Sequence, residues 1–406
     1  MKTKKEGIVK IILPFVFAAA LLGGCGEGNR VAEFARNQAE EAKSRIQEAV
    51  GPEFQKETEN TEELQKKYYY SLLGEEEQKI YRQLVQGIRD GKEEIVTYGN
   101  DPAQINDVCT WVFMDYPEFF WCSGSVETTG YTGISEYSKV RPEYTCSPEE
   151  RTVRQEQIDA AAGQCLAGLP EEGSDYEKLR YLYTWIVEQT EYAADAPDNQ
   201  NIYSVFGNRQ SVCAGYSRAF QYLAEKAGIT CLYVTGTVNA GESHAWNIVE
   251  CDGAWYNVDV TFGDPVFLEQ ETQESGTGNP VDRVFYDYLC VSDGVFLRNH
   301  VPDTELVLPA CDSTELEYYR RNGRYFEEAS RSQMLELMQE DIARQDAWSD
   351  FKYADESAYQ QAEEFLESVT DEAALYLCRL YGLSQTVYRY NLDPESLRIT
   401  VYWEYS

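Results

Sequence analysis

Residues 210–265 contain a cysteine, a histidine and an aspartate whose side chains together suit covalent chemistry at a carbonyl group. Cys213 supplies a nucleophile, His244 a base and Asp259 a carboxylate. In such a set the thiolate attacks the carbonyl carbon, and the imidazole passes the thiol proton to the leaving amine. The carboxylate holds the imidazole in the required tautomer. His244 is one of only two histidines in the chain, which makes it a specific candidate for the base.

Cys213 is expected in the first turn of a helix. Apolar residues recur at helical spacing from Val212 to Ala227, Ser211 is predicted as the N-cap, and Gly228 follows the last turn. The N–H groups and positive dipole end of a helix N-terminus favour a thiolate and can also hold an oxyanion. The alternative is a cysteine that only packs, because free cysteines are often small core residues.

His244 and Asp259 are expected on the two strands of one hairpin, 244–251 and 254–261, joined by a type I′ turn at Asp252-Gly253. Residues 229–238 form a further predicted strand. The turn predicts the cross-strand pairs Cys251 with Ala254, Trp246 with Asp259, and His244 with Thr261. Since side chains alternate between faces, His244 and Asp259 then share a face as diagonal neighbours. A slip of one residue would separate them.

These three motifs carry a resemblance. The runs SVCAGYSRAFQYLAEKAGI, SHAWNIV and WYNVDVTFGD resemble the core of the transglutaminase-like superfamily over roughly residues 174–265. The resemblance implies an α+β fold with a papain-like core, in which a nucleophile helix packs on an antiparallel sheet. It also implies that Cys213 is the nucleophile, His244 the base and Asp259 the orienting acid. An upstream side chain of the family donates to the oxyanion, and Tyr192, Tyr203 and Gln210 are the candidates here, with core or loop roles as the alternative.

The amino terminus reads as an export signal. Residues 1–24 combine a lysine-rich start, an apolar run too short for a bilayer span, and small residues before Cys25. Leu22-Gly23-Gly24-Cys25 resembles a bacterial lipobox, which implies a lipidated Cys25 and an extracytoplasmic protein anchored to the cell membrane. The net charge of −35 argues against nucleic acid as a partner.

The cysteines do not suggest a metal site. The chain has eleven, and when Cys25 and Cys213 are set aside the remaining nine leave at least one thiol unpaired within the chain. No cysteine spacing is typical of zinc, so neither a metal nor another cofactor is expected. A pairing of Cys231 with Cys251 stays open.

The remaining segments divide the chain into five predicted parts. They are the signal peptide (1–24), a charged tether (25–67), an N-terminal helical and α+β domain (68–150), the transglutaminase-like domain (151–311) and a C-terminal α+β region (312–406). The aromatic cluster at 116–121 is interpreted as core rather than as a sugar platform. Residues 285–295 are expected to form strands, and His300 lies in a predicted loop with a structural role.

Three functions fit this pattern. The first is hydrolysis of amide bonds in protein or peptide substrates, with water as the acyl acceptor. The second is a transglutaminase, in which an amine accepts the acyl group, and both share the same acylation step. The third is a cell-surface scaffold that uses the fold without catalysis.

Overall fold

A computed structural model describes residues 52–133, 135–239, 241–264, 283–394 and 396–405. The predicted signal peptide, the lipobox with Cys25 and most of the predicted tether lie outside the described residues. Across the described ranges, none of the helices has both the length and the apolarity that a bilayer crossing requires.

The N-terminal part packs helices on a three-stranded antiparallel sheet of order β1-β3-β2. Its elements are α1 (Thr61–Leu64), α2 (Tyr68–Leu72), α3 (Glu75–Arg89), β1 (Ile95–Tyr98), α4 (Pro102–Asp115), β2 (Cys122–Tyr131) and β3 (Tyr137–Tyr144). Helix α4 ends before Tyr116-Pro117, as expected for a residue pair that disfavours helical backbone. The aromatic cluster at 116–121 is buried, which confirms the core interpretation.

The central part contains a four-stranded antiparallel sheet of order β8-β7-β6-β9. Its elements are α5 (Pro148–Ala167), α6 (Asp175–Gln189), β4 (Glu191–Tyr192), a π-helical turn (Ser204–Asn208), β5 (Gln210–Ser211), α7 (Cys213–Lys226), β6 (Cys231–Val238), β7 (Glu242–Cys251), β8 (Ala254–Val258), a 3₁₀ turn (Thr261–Gly263), α8 (Asp293–Phe296) and β9 (His300–Pro302). Helices α5 and α6 each begin at a serine capping box, because a serine side chain satisfies free N–H groups there.

The C-terminal part forms a further four-stranded sheet, of order β10-β11-β13-β12, covered by two longer helices. Its elements are α9 (Tyr318–Arg321), β10 (Tyr325–Phe326), α10 (Arg331–Arg344), β11 (Trp348–Tyr353), α11 (Glu356–Tyr381), β12 (Tyr388–Asp393) and β13 (Arg398–Trp403). The helices α10 and α11 and the hairpin of β12 and β13 give this part the α+β composition predicted for residues 312–406. Together with the central sheet and its helices they confirm the α+β class.

Two of the hydrophobic cores in the described residues are larger than the others. One core runs without a break from the N-terminal helices into α6, α7 and β8, through buried residues such as Leu84, Phe120, Tyr183 and Phe220. It crosses the predicted domain boundary at 150, so α7 and the N-terminal part share packing. The C-terminal part has its own core, which includes Phe351. The five-part division of the chain stays a prediction.

The end of the predicted tether lies on the folded body instead. The amide of Gln55 donates to the carbonyl oxygen of Val96 at 2.8 Å. The buried Lys67 ammonium donates to the carbonyl oxygen of Asp115 at 2.5 Å and to Oε2 of Glu225 at 2.8 Å. Since Glu225 belongs to the last turns of α7, this ion pair ties the segment to the helix that begins at Cys213.

Two local expectations were wrong, and a cysteine pairing that the sequence had left open does not form. Within the described ranges, residues 285–295 contain no β-strand, and Val291 forms an isolated antiparallel β-bridge with Asn257. Cys231 lies opposite Val249 rather than Cys251, because the loop between β6 and β7 sets a different register. Each cysteine of the described residues is a free thiol. The other wrong expectation concerns His300, which lies in β9 and not in a loop.

Candidate active site

Cys213 is the first residue of α7, as predicted. The N-cap is Val212, in extended conformation, and no side chain caps the helix. Ser211 was predicted as the cap, but its hydroxyl lies 2.6 Å from the Ser204 hydroxyl and 3.2 Å from the Asn199 carbonyl oxygen. The N–H groups of the first turn have no acceptor inside the helix. Because Cys213 begins this turn, they are available to stabilise an anion near its sulfur.

Helix α7 is fastened to β7 close to both Cys213 and His244. The Ser217 hydroxyl, one turn after Cys213, donates to the carbonyl oxygen of Ala245 at 2.8 Å. The Asn247 amide donates to the carbonyl oxygens of Ser217 and Leu232 at 3.0 and 3.1 Å. These buried hydrogen bonds fix the helix against the strand, so the position of the sulfur relative to the imidazole is set by the scaffold.

The hairpin has the predicted register. Asp252 and Gly253 both have positive φ, 53° and 80°, as a type I′ turn requires, and Cys251 pairs with Ala254. Strand β8 nevertheless ends at Val258, so the predicted pairs of Trp246 with Asp259 and of His244 with Thr261 do not form.

Asp259 turns out of the strand and caps the 3₁₀ turn that follows. Its Oδ1 accepts hydrogen bonds from the amides of Thr261 and Phe262 at 2.9 and 3.3 Å. Its own amide donates to the Tyr288 carbonyl oxygen at 2.9 Å. The bonds to Oδ1 leave Oδ2 directed at the imidazole. Full burial of the carboxylate raises its pKa, but the charge and hydrogen bond of His244, together with those of His300, outweigh burial and hold the pKa well below the ordinary value.

His244 joins the sulfur to the carboxylate. Its Nε2 lies 2.6 Å from Oδ2 of Asp259, and its side chain hydrogen-bonds Cys213. With Nε2 engaged by the carboxylate, Nδ1 is the ring nitrogen left to take the thiol proton. Burial lowers the pKa of His244, but the Asp259 charge and hydrogen bond, together with Cys213, raise it to about 10. The site therefore favours the imidazolium, and with it transfer of the thiol proton to the ring.

A second histidine completes the arrangement, and the sequence reasoning missed it. Nε2 of His300 lies 3.0 Å from the same Oδ2 of Asp259, with the ring fully buried. His300 was set aside because no register brought it near Cys213. The signal that could have found it is the scarcity of histidine. The chain has only two histidines, and both contact the Asp259 carboxylate.

The sheet explains how the two rings meet. On β6, Gly236 pairs with His244 on one side and with Pro302 on the other, while Val238 pairs with His300. Paired residues point to the same face, as do residues two apart, so both imidazoles lie on one face. A Cβ at Gly236 would lie 2.2 Å from the Val301 carbonyl oxygen, so glycine is required for this close approach of β9.

Comparison with known proteins identifies the domain that carries this site. Residues 164–260 match the family model of the transglutaminase-like superfamily, a span that includes all three predicted catalytic residues. The chain therefore contains a transglutaminase-like domain.

The individual relatives are remote. The chain is 26% identical over 176 residues to kyphoscoliosis peptidase of Mus musculus, a match that spans 37% of the chain and 26% of the relative. It is 28% identical over 153 residues to the Homo sapiens protein of that name, spanning 34% of the chain and 22% of the relative. The matches therefore span about a quarter of those relatives. Among solved structures, the periplasmic domain of TgpA from Pseudomonas aeruginosa is similar at a TM-score of 0.22 and 17% identity, covering 34% of the chain and 57% of that domain.

The three oxyanion candidates lie in different surroundings. The Tyr203 hydroxyl donates to Gln157 at 2.8 Å, and the exposed Gln210 amide donates to Glu191 at 3.1 Å. Tyr192 packs instead against the pair of Val238 and Phe262, and the Phe262 ring lies 5.5 Å from the His244 ring. Of the three oxyanion candidates, Tyr192 is therefore the one that packs against a neighbour of His244. Its role as an oxyanion donor stays a prediction.

The described residues contain one cluster with the composition of a metal site, namely His244, Asp259 and His300. Their ligand atoms lie within 4.8 Å of one another. The separations of 2.6 and 3.0 Å from each Nε2 to Oδ2 are hydrogen-bond distances, with both nitrogens directed at one oxygen. The arrangement fits two N–H donors on a carboxylate, which is the role that an acid–base set requires.

Proposed function

We propose that this protein is an exported, lipid-anchored cysteine enzyme that hydrolyses amide bonds in protein or peptide substrates. The observation that carries the proposal is the chain of contacts from Cys213 through His244 to Oδ2 of Asp259. A cysteine at a helix N-terminus, hydrogen-bonded to a histidine that a buried carboxylate orients, is the arrangement that nucleophilic acyl chemistry needs.

The geometry supports a two-step reaction. The thiol proton moves to Nδ1 of His244, and the thiolate attacks the carbonyl carbon, giving a tetrahedral oxyanion beside the first-turn N–H groups of α7. Collapse forms a thioester, and the leaving amine takes the proton from His244. His244 then removes a proton from water, the hydroxide attacks the thioester, and the carboxylic acid leaves as the thiol is restored. Asp259 holds the ring throughout and stabilises its charged form.

Water is proposed as the acceptor on the strength of similarity. Both curated relatives carry the name peptidase, and the family resemblance favours hydrolysis. An amine acceptor would make the protein a transglutaminase, and the acylation half-reaction is the same in both cases.

A partition experiment decides between the acceptors. The purified protein is incubated with a glutamine-containing peptide library and a labelled primary amine, with Cys213→Ala as the blank. We expect peptide cleavage or deamidation that depends on Cys213 and little amine in the products. Amine incorporation that exceeds hydrolysis would establish the transglutaminase alternative. Equal product formation by wild type and Cys213→Ala would favour the non-catalytic scaffold.

The location is proposed from the amino terminus. Residues 1–24 are read as a lipoprotein signal, after which Cys25 carries the acyl chains and the acidic body lies outside the cell membrane. We expect a fatty-acid label on the wild-type protein and none on Cys25→Ser. A labelled Cys25→Ser protein would contradict the anchor.

A further inference from the structure

One oxygen of Asp259 serves two histidines. Oδ2 lies 2.6 Å from Nε2 of His244 and 3.0 Å from Nε2 of His300. A triad needs only the first of these contacts, because one imidazole suffices to carry the proton. The second ring has no contact with the reacting sulfur among its described hydrogen bonds, so its function has to act through the carboxylate.

His300 is held firmly in place. Its ring stacks on Phe296 at a centroid distance of 3.8 Å, and the rings of Trp246, Phe262 and Tyr288 lie 5.2 to 5.4 Å away. Its Nδ1 lies 2.8 Å from Oδ1 of Asn299, whose amide nitrogen lies 2.9 Å from the Tyr288 hydroxyl. The ring therefore cannot turn away from Asp259 without losing contacts on every side.

The hydrogen-bond chemistry fixes one proton. An ionised carboxylate only accepts, so the contact with Asp259 requires a proton on Nε2 of His300. With Oδ1 of Asn299 toward the ring, Nδ1 also donates and the ring is cationic. If that amide is reversed, its NH₂ group donates to Nδ1 and the ring is neutral. In both cases the Nε2–H of His300 donates to Asp259.

We propose that His300 is a positioning residue for the acyl-transfer chemistry, which holds the Asp259 carboxylate toward His244 and takes a share of that carboxylate's charge. This inference rests on the proposed function, since it concerns the base of the same reaction. Two consequences follow. First, without the His300 donor the Asp259 carboxylate is held less firmly toward His244, which slows turnover. Second, the charge of the carboxylate then acts on His244 alone, which stabilises the imidazolium form of His244 more strongly.

The groups that can titrate around His300 are few. Within the described residues, Asp259 and His244 face it from the end of β8 and from β7, and the Tyr288 hydroxyl faces it through Asn299. Trp246 on β7, Phe296 of α8 and Phe262 of the 3₁₀ turn contribute uncharged rings. A change in the pH dependence after substitution of His300 is therefore assigned to the pair of Asp259 and His244.

Two variants separate the donor from the ring. His300→Phe keeps an aromatic ring on Phe296 but has no N–H, whereas His300→Gln keeps an N–H donor near the position of Nε2 but loses the ring. The readout is p-nitrophenyl acetate turnover as a function of pH, with Cys213→Ala as the blank. We expect His300→Phe to lower kcat by about tenfold, the value of one hydrogen bond to a charged group, with KM unchanged. We also expect its alkaline limb to move upward by about one pH unit, and His300→Gln to remain within about threefold of wild type.

The outcomes are distinct. Equal losses in both variants, or an unmoved alkaline limb in His300→Phe, would reduce His300 to a packing residue and overturn the inference. A wild-type protein that reacts no faster than Cys213→Ala would instead overturn the proposed function.

A measurement on the unsubstituted protein guards against a variant that does not fold. The chain has only two histidines, so a ¹⁵N-histidine spectrum contains two rings, which the His244→Ala protein assigns. We expect Nε2 of His300 to carry a proton at neutral pH. An unprotonated Nε2 would exclude the donor role directly.

Discussion

Replacing His244 by alanine should lower kcat on p-nitrophenyl acetate by about 10⁶-fold, close to the loss when a nucleophile itself is removed. Among the described residues, the imidazole is the side chain that joins the Cys213 thiol to the Asp259 carboxylate. Without it the thiol proton has no acceptor, the leaving group has no proton donor, and the carboxylate is left buried without its nearest partner. Residual activity would come from the helix N-terminus and from substrate binding.

Ser243→Ala is the matched control for this variant. Ser243 is the neighbouring residue on β7, and its side chain is exposed, so the strand and its register are unchanged. We expect wild-type turnover and melting temperature from Ser243→Ala, and a lower melting temperature from His244→Ala, because the buried Asp259 carboxylate loses its partner. Turnover in His244→Ala within tenfold of the control would show that another group is the base.

Replacing Asp259 by asparagine should lower kcat by about 10⁴-fold while the fold remains. The amide is nearly the same size, so the hydrogen bonds from Thr261 and Phe262 to the carbonyl oxygen can persist. Its NH₂ group would then face Nε2 of His244. That contact favours a proton on Nδ1 instead, which is the tautomer that cannot accept the thiol proton.

The same variant should change the pH dependence in a defined direction. The Asp259 charge outweighs the effect of burial and raises the pKa of His244 from 6.5 to about 10. Because that pKa is raised by folding, the stability due to the pair is fully present below about pH 6.5 and is lost as the pH rises through 10. In Asp259→Asn the alkaline limb of turnover should move to lower pH.

Asp293→Asn is the control for Asp259→Asn, because it removes a carboxylate that contacts neither Cys213 nor His244 among the described hydrogen bonds. Asp293 accepts hydrogen bonds from the Asn257 amide and from the backbone N–H of Cys311, away from the sulfur. We expect a change in melting temperature without a change in the pH profile. An unchanged alkaline limb in Asp259→Asn would contradict the assigned role of the carboxylate.

The parts of the site set by local sequence could be predicted. The helix that begins at Cys213 follows from apolar spacing, and the hairpin register follows from Asp252-Gly253, because a two-residue turn fixes the pairing of its strands. Those two signals brought His244 and Asp259 to the same neighbourhood. They did not show that β8 stops at Val258, because the end depends on contacts of Asp259 with the turn that follows and with Tyr288.

The contribution of His300 could not be predicted because it depends on long-range pairing. Strand β9 is only three residues long, and its register comes from β6, more than sixty residues earlier in the chain. A three-residue strand carries no usable alternation. The prediction for Ser211 failed for a more local reason, because its hydroxyl bonds with that of Ser204 in the π-helical turn and not with the helix it precedes.

The contacts of the last residues of the predicted tether with the folded body also could not be predicted from the sequence. Charged residues between 52 and 67 suggested a solvated segment, yet Lys67 is buried against Glu225. A buried lysine is rare without a partner, and the partner lies on a helix far along the chain. Composition identifies charge but not which charges will meet.

The reactivity of Cys213 tests the central claim most directly. Wild type and His244→Ala are treated with limiting iodoacetamide at neutral pH, and peptide mass spectrometry locates the label among the cysteines. The account predicts that Cys213 is alkylated first, much faster than a free model thiol, and that His244→Ala removes this advantage. Alkylation of Cys213 at the rate of a model thiol, or a rate unchanged in His244→Ala, would contradict it.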